Sequence, residues 1–269
     1  MSLVVNTNIA SMNAQRSLMH SSRELQTAME RLSTGKKINS AADDAAGFAI
    51  AESMTAQVRG LSMAVKNAND GMSLLRVVEN ATNDVTDMLQ RIRELAVQAA
   101  SGTNSGDDIS NLQAEATALV EEIDRVASDT TYNGVAYLST GGAGNIDIQV
   151  GYNDGDQIQL TTHDVGSTAL GITALDIEDA NVLQTVSDAI DTVAGYKAGW
   201  GAGQNRLQYT VANLMNVVEF TSAARSRIQD ADFAVEAARL SKAQILQQTG
   251  AAMLAQANAS PQLAISLLK

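Results

Sequence analysis

The amino-acid sequence predicts a mainly α fold, a long antiparallel helical coiled-coil rod with a small β-hairpin region and paired terminal helices. Apolar residues recur at spacings of three, four and seven over most of the chain, which is the periodicity of packed helices. Aromatic residues make up only 3% of the 269 residues, so a compact core built from large aromatic side chains is not expected. Turn residues and period-two alternation are concentrated in one stretch near the middle of the chain.

Composition excludes several classes of protein. The sequence has no cysteine, so it has neither disulfides nor thiolate metal sites. The net charge of −12 argues against nucleic acid or an anionic membrane surface as a partner. We find no apolar run long enough for a transmembrane helix and no secretory signal peptide at the N-terminus. The chain is therefore expected to be cytoplasmic, unless it is exported by a route without a cleaved signal.

The first helix is predicted from a repeat of leucines. Leu18, Leu25 and Leu32 recur at seven residues, which indicates a narrow coiled-coil stripe. Gly35 follows at the position where a left-handed glycine commonly ends a helix.

A much longer helix is predicted from about Asp44 to Ala100. The Ser-x-x-acid pattern of residues 40–43 is typical of a capping box at its start. At 1.5 Å per residue this helix would be about 85 Å long, far beyond an ordinary globular helix. After a glycine turn, Asp107 or Asp108 is expected to cap a shorter helix that folds back on the long one.

The middle of the chain predicts a β element, at about residues 132–172. Residues 146–150 alternate between apolar and polar, Asp154-Gly155 forms a turn signal, and residues 157–160 alternate again. This region is also acidic, because ten Asp or Glu residues and no Lys or Arg lie between Arg125 and Lys197.

A returning helix is predicted from about Glu178. Its apolar stripe recurs at multiples of seven through Val186, Val193, Trp200, Leu207 and Leu214. Four glycines between residues 195 and 203 weaken it, so we expect either close packing or a local break there. Ser260-Pro261 predicts the start of a separate last helix.

Both ends of the chain lack charge. Residues 1–15 and 243–268 contain no Asp, Glu, Lys or Arg, yet their apolar side chains need to be covered. We therefore predict that the two ends pair, stay largely disordered in a single chain, and become ordered when copies assemble. A self-contained two-helix hairpin is the alternative. The predicted subunit interface comprises Leu18, Leu25, Leu32, Phe233, Leu240, Ile245, Leu246, Met253, Leu254 and Leu267.

Several blocks of sequence match the motifs of a known family. In the N-terminal half they are LSTGKKINSAADDAAG at 32–47, NDG at 69–71 and QRIRELAVQ at 90–98. In the C-terminal half they are RSRIQDAD at 225–232, AQILQQ at 243–248 and LAQAN at 254–258. On these residues the chain resembles a bacterial flagellin, in a short form that lacks the outer variable domains.

The resemblance implies a domain organisation and a function. Residues 1–44 and 227–269 would form a terminal helical coiled coil in the inner core of a filament, and residues 45–226 a helical rod domain with β-hairpins. The chain would self-assemble into the flagellar filament used for swimming, outside the cell, after export by the flagellar type III apparatus. A flagellar export chaperone and the hook-associated and cap proteins are the implied partners.

The resemblance also implies residues that other molecules recognise. Arg91, Leu95 and Glu115 match positions that contact the vertebrate toll-like receptor for flagellin, although the same residues could instead pack neighbouring subunits. O-linked glycans are expected on hydroxyl residues of the region that we predict to be exposed. These residues are Ser139, Thr140, Thr161, Thr162, Ser167 and Thr168.

Other functions stay open at this point. A hook–filament junction protein would resemble a flagellin at both ends, and a non-flagellar coiled-coil adaptor would explain the heptads but not the uncharged ends. An enzyme is not expected, because neither His20 nor His163 belongs to a catalytic motif and no phosphate-binding loop occurs. The sequence predicts no catalytic, cofactor-binding or metal site.

Overall fold

The computed structural model describes residues 7–266, and the side chains of residues 7–260. Within that part of the chain, the fold is mainly α with one small two-stranded sheet, as predicted. The elements are α1 (Ile9–Thr34), α2 (Ala45–Ala99), α3 (Gly106–Asp129), β1 (Gly144–Gln149), β2 (Gln157–Thr162), α4 (Ser167–Leu170), α5 (Val182–Gln229) and α6 (Phe233–Ser266). Leu267 of the predicted interface lies outside the described residues.

The chain forms two compact units. The terminal unit contains the described residues up to Ala56 and from Phe220 onwards, and the central unit contains residues 57–219. The domain boundaries predicted from the sequence, after residue 44 and before residue 227, both fall inside the terminal unit.

In the terminal unit, α1 and α6 lie antiparallel against each other. The Asn8 amide donates to the backbone carbonyl of Ala257, and the Ser11 hydroxyl donates to Asn258 at 2.8 Å. Further along the pair, Arg31 reaches Glu236. The predicted pairing of the two ends is therefore present in the described residues. That the pair becomes ordered only when copies assemble stays a prediction, with the self-contained two-helix hairpin as its alternative.

The end of α1 is tied to the segment that precedes α6. Gly35 adopts φ +71°, which a glycine accepts without strain and which ends α1 as predicted. Its carbonyl accepts a hydrogen bond from Ala231, and Gln229 accepts one from Lys37 at 2.6 Å. These two backbone bonds hold the segment that follows α1 against the segment between α5 and α6.

The start of α2 differs slightly from the prediction. Asp43 accepts hydrogen bonds from the backbone N–H groups of Asn39 and Ser40, but it does so within a turn that precedes the helix. The hydrogen bond from the backbone of Ser40, and to a smaller extent the one from Asn39, lower the pKa of Asp43 because they stabilise its charged form. The helix is capped by Asp44 instead, whose carboxylate accepts from the backbone of Gly47 at 3.0 Å.

The central unit has its own apolar core, built mainly from α2, α3 and α5. The five heptad residues of the returning helix, from Val186 to Leu214, are all buried. The first four share a core with buried residues of α2 such as Leu75, Val85 and Leu89, and Leu214 packs with Leu61 and Ala64. The antiparallel pairing of α2 and α5 is marked by polar contacts, since Lys197 donates to Asn83 and Gln204 donates to Glu79.

The short helix α3 folds back on α2 as predicted. Its N-cap is Ser105 rather than either aspartate, and Asp108 completes a capping box by accepting from the Ser105 hydroxyl and backbone N–H. The hydrogen bond from the Ser105 hydroxyl, and to a smaller extent the one from its backbone N–H, lower the pKa of Asp108.

Helix α3 also anchors the segment after the hairpin. The Asp124 carboxylate accepts from both the backbone N–H and the hydroxyl of Ser167 at 2.7 Å.

The predicted β region contains one antiparallel hairpin. Ile146 pairs with Leu160 and Ile148 with Ile158, across a turn that uses Gly155 at φ +86°. Strand β2 alternates strictly between exposed and buried residues, so one of its faces covers the helical core. Trp200 of α5 is buried beside it and donates its indole N–H to the carbonyl of Thr161 at 2.9 Å.

Two expected interruptions of helices do not occur. Helix α5 continues through its four glycines, and α6 continues through residues 260 and 261. At Gly203, an added Cβ would lie 3.3 Å from a methyl of Leu75 and 3.4 Å from one of Leu160, so this glycine allows the predicted close packing. The other three glycines face open space and neither pack closely nor break the helix.

We predict that Gly142→Ala destabilises the loop that leads into the hairpin. An added Cβ at Gly142 would lie 2.2 Å from the carbonyl oxygen of Ala136, so the backbone must move. The free energy of unfolding should fall by about 1–3 kcal/mol, the usual cost of overpacking. Urea denaturation measures it. Gly141→Ala is the matched control, because nothing lies within 4 Å of its added Cβ; equal effects at both positions would contradict the prediction.

Candidate assembly site

The predicted interface residues divide into two groups in the structure. Leu18, Leu25, Leu32, Leu240 and Leu254 are half-buried, because α1 and α6 are packed together in the terminal unit. A second group on α6 stays exposed, with Phe233 59%, Ile245 60% and Met253 65% accessible, and Leu246 is exposed as well. The apolar surface of this pair of helices is thus only partly covered within one chain.

Exposed apolar residues of α1 were missed by the sequence prediction. Ile9, Met12, Met19 and Met29 are all exposed. They lie off the leucine heptad, which is why a search restricted to that repeat passes over them. A count of all apolar residues on the helix surface would have found them, since Met12 and Met19 are themselves seven residues apart.

An apolar groove runs between the two helices. It has a volume of about 660 Å³ and small side chains of α1 form one wall, including Ala10, Ala14 and Ser17. Leu246 and Met253 contribute the opposite wall. An added Cβ at Gly250 would lie 3.3 Å from a methyl of Leu18, so this glycine permits the helices to approach closely.

A buried carboxylate joins the two helices at the other end of the pair. The side chain of Glu236 on α6 is only 6% exposed, and its Oε1 atom accepts from Arg31 of α1 at 3.3 Å and from Arg239 at 3.0 Å. A buried charge must be paired to be tolerated. Because Arg31 and Glu236 belong to different helices, this cluster favours one register of α1 against α6.

The predicted receptor face is only partly accessible. Arg91 of α2 donates to Glu115 of α3 and to Glu94, at 2.9 and 3.0 Å, and all three are exposed. The hydrogen bond to Glu115 is the main reason that the pKa of Arg91 is raised. Leu95, however, is fully buried against Ala99, Ala116 and Ile177.

Placing Leu95 on this face is therefore a wrong prediction. Folding α3 back on α2 covers one side of α2, and the segment that contains Ile177 closes over the same position. The backbone N–H and carbonyl groups around that segment are held by Gln113, which accepts from Ile177 and donates to Leu175. The prediction came from matching motif positions of the family, and such a match does not say how the segment around Ile177 packs in this chain.

Two of the six predicted glycosylation sites are buried, which contradicts their predicted exposure. The Thr162 hydroxyl donates to the carbonyl of Gly144, and the Ser167 hydroxyl is held by Asp124. Thr140, Thr161 and Thr168 are exposed, while Ser139 is half-buried and donates to Ala136.

The two histidines lie apart in separate surroundings. His20 is exposed and lies 3.7 Å from Glu24, one helical turn away. His163 follows β2 and stacks on Tyr196 with a ring separation of 4.0 Å. Partial burial there lowers the pKa of His163. Within residues 7–266, we find no group of three or more His, Asp or Glu side chains that could hold a metal ion.

Two models of one protein family match this chain. The bacterial flagellin N-terminal helical region matches residues 5–142, and the bacterial flagellin C-terminal helical region matches residues 183–268. Together they cover most of the chain, including the helices that carry the candidate assembly site.

Full-length relatives agree with these family models. The chain is 42% identical to a flagellin of Halalkalibacterium halodurans over 273 residues, which cover 99% of this chain and 100% of the relative. It is 38% identical to a flagellin of Bacillus subtilis, with 98% and 99% covered, and 39% identical to the flagellar filament 33 kDa core protein of Treponema phagedenis, with 99% and 100% covered. The crystal structure of Bacillus cereus flagellin is similar at a TM-score of 0.50 and 32% identity, over 55% of this chain and 88% of that one.

Paired terminal helices with an uncovered apolar face are features expected of a structural subunit that assembles with its own copies. The family models and the full-length relatives show that the chain belongs to the bacterial flagellin family. It is a structural subunit of the flagellar filament, and the full-length agreement with flagellins does not favour the hook–filament junction alternative. Among the described helices, none combines the length and apolarity needed to cross a membrane.

We predict that Glu236→Ala loosens the pairing of α1 with α6. Arg31, with a side chain only 18% exposed, would lose its carboxylate. We expect the free energy of opening the α1–α6 pair to fall by about 2–3 kcal/mol. This is less than for a fully buried ion pair, because the second arginine, Arg239, is exposed and water can solvate its charge. Hydrogen exchange of the α1 amides in the monomer measures this opening. Glu24→Ala is the control, and equally fast exchange in both variants would argue against the role of Glu236.

Proposed function

We propose that copies of this chain polymerise through the terminal unit. The observation that carries the proposal is the exposed apolar surface of α6 at Phe233, Ile245 and Met253. Two of these residues, Ile245 and Met253, lie within the uncharged segment 243–268. The flagellin family of the chain supports a helical filament as the product.

The magnitude of the hydrophobic effect supports this surface as the driving force. Full burial of one large aliphatic side chain contributes about 1.5–3 kcal/mol. Several such side chains on α1 and α6 together offset the several kcal/mol of translational and rotational freedom that association costs. A contact between two different surfaces of identical chains propagates into a filament when the rotation between copies does not close a ring.

The lack of charge on the last segment fits the same role. Neighbouring copies around a common axis would bring identical side chains close together. A buried ring of like charges would be strongly destabilising, whereas uncharged Gln, Ala and Leu residues pack without that penalty. The segment therefore suits an environment made of its own copies.

Export and capping partners follow from the family. We propose that the chain is exported unfolded by the flagellar type III apparatus without a cleaved signal peptide, that a cytoplasmic chaperone covers its C-terminal segment, and that hook-associated and cap proteins bind the growing filament. The absence of cysteine and the single proline support rapid refolding, because neither disulfide formation nor repeated prolyl isomerisation delays it.

A vertebrate toll-like receptor is proposed as a further partner. The support is the exposed network of Arg91, Glu94 and Glu115, which presents a guanidinium in a defined orientation. Leu95 is left out of this proposal because it is buried.

O-linked glycans are proposed for Thr140, Thr161 and Thr168, which are exposed, whereas Ser139 is less accessible.

We predict that Ile245→Asn impairs polymerisation while the monomer stays folded. The side chain is exposed in the single chain, so its replacement removes contacts only in the assembled state. The critical concentration should rise at least about tenfold, the equivalent of about 1.4 kcal/mol. Sedimentation of filaments against monomer concentration measures it.

Ser241→Asn is the matched control, because it introduces the same side chain on the same helix at an exposed residue that is already polar. Circular dichroism checks that both monomers remain helical. Filaments of the Ile245 variant that form at the unaltered critical concentration would contradict the proposed surface.

We predict that Arg91→Ala weakens receptor signalling. Half-maximal activation of reporter cells should need about tenfold more protein if one charged contact of about 1.4 kcal/mol is lost. Arg125→Ala is the control, because Arg125 is another exposed arginine of the central unit with two acidic partners, Glu122 and Asp129. Identical dose-response curves for the two variants would exclude Arg91 as a specific contact.

A further inference from the structure

Methionine supplies much of the exposed apolar surface of the terminal unit. Four of the ten methionines in the sequence lie in that unit with between 49% and 65% of their surface exposed. We call them the terminal methionines, and they are Met12, Met19, Met29 and Met253. The chain has no cysteine, so an oxidant that attacks sulfur can react with methionine alone.

The terminal methionines belong to the surface proposed for polymerisation. On α1, Met12 and Met19 are seven residues apart, so they lie on the same face of the helix. On α6, Met253 lines the apolar groove with Leu246. All four side chains are exposed in a single chain, so an oxidant in solution reaches their sulfur atoms before assembly covers them.

Oxidation changes the character of such a surface. Hydrogen peroxide transfers one oxygen atom to the thioether sulfur, so that an S–O bond forms, the O–O bond breaks and water is released. The sulfur loses two electrons and the peroxide gains them. The product, methionine sulfoxide, carries a polar oxygen, and burying that oxygen without a hydrogen-bond donor is unfavourable.

We propose that the terminal methionines are oxidation sites through which hydrogen peroxide reversibly blocks polymerisation of the free chain. The inference rests on the polymerisation proposed above and adds a means of controlling it. The fold of the single chain tolerates the change, because water solvates each sulfoxide at its exposed position. The assembled state does not, because a neighbouring copy would replace that water by apolar side chains.

Assembly should protect the same four residues. A sulfur atom covered by another copy meets peroxide only when its subunit dissociates, so the reaction is faster in the monomer than in the filament. Chains oxidised before assembly are thus excluded, whereas chains already incorporated keep their thioethers. The central unit supplies an internal reference, because its exposed methionines, Met63 and Met215, do not belong to the terminal surface.

A partition experiment tests the block on the unaltered chain. Monomers are partly oxidised with hydrogen peroxide, freed of peroxide and allowed to polymerise. Sedimentation separates filaments from unincorporated monomer, and mass spectrometry of the peptides measures the ratio of sulfoxide to thioether at each methionine. We expect this ratio at each terminal methionine to be at least about tenfold higher in the monomer fraction, whereas Met63 and Met215 are oxidised equally in both fractions.

Variants and enzymatic reduction supply the controls. Replacing all four terminal methionines by leucine keeps their apolar volume and removes the oxidisable sulfur, so peroxide should leave the critical concentration of that variant unchanged. The matched double variant Met63→Leu/Met215→Leu should stay as sensitive as the unaltered chain, with a rise of at least about tenfold after oxidation. Two sulfoxide reductases, one for each epimer, should restore assembly of the oxidised chain, using a dithiol that becomes a disulfide as water is released.

Each other outcome has a definite meaning. Equal sulfoxide ratios at the terminal methionines in filament and monomer overturn the inference and leave the polymerisation proposal standing. Enrichment at Met63 and Met215 as strong as at the terminal methionines also overturns it, as does a block that the reductases do not reverse or that persists in the leucine variant. If the untreated chain forms no filament, both proposals fail together.

Discussion

The structure depends on the apolar contact between α1 and α6, which covers only part of the apolar surface of either helix. Two paired helices can bury one stripe each, and here those stripes supply the half-buried leucines, such as Leu18 and Leu254. Ile245 and Met253 remain exposed on the outside of the pair. The terminal unit therefore has a surface whose favourable partner is another apolar surface, which is the basis of the proposed polymerisation through this unit.

The central unit meets the opposite requirement, because it contains a core of its own. Leu75, Val85, Leu89 and Leu207 are fully buried among neighbours from the same unit, and the hairpin covers part of them. Its eight basic and 22 acidic residues give it a formal charge of −14, which favours repulsion between central units of different copies. The central unit is thus stabilised by contacts within the chain, whereas the terminal unit exposes apolar surface for the proposed contacts between chains.

Polar groups set orientation in both units. Glu236 favours one register of α1 against α6 by pairing with Arg31, and the network of Arg91 and Glu115 links α2 to α3. Apolar stripes alone tolerate sliding by a heptad, since the same side chains recur every seven residues. The buried carboxylate of Glu236 opposes such sliding, because any other register would separate it from Arg31 and leave only Arg239 of its own helix as a partner.

The sequence by itself determined the helices, the hairpin and the family, because heptad spacing, turn residues and long motif blocks are local properties of the chain. It also located the uncharged ends. Tertiary structure alone decided which apolar residues remain exposed. Leu95 is buried because α3 and the segment containing Ile177 pack over it, and Thr162 is buried because it lies on the inward face of β2. Met19 stays uncovered because α6 lies against another side of α1. Periodicity shows that a helix has an apolar face, but only the packed partner determines how much of that face is left for another molecule.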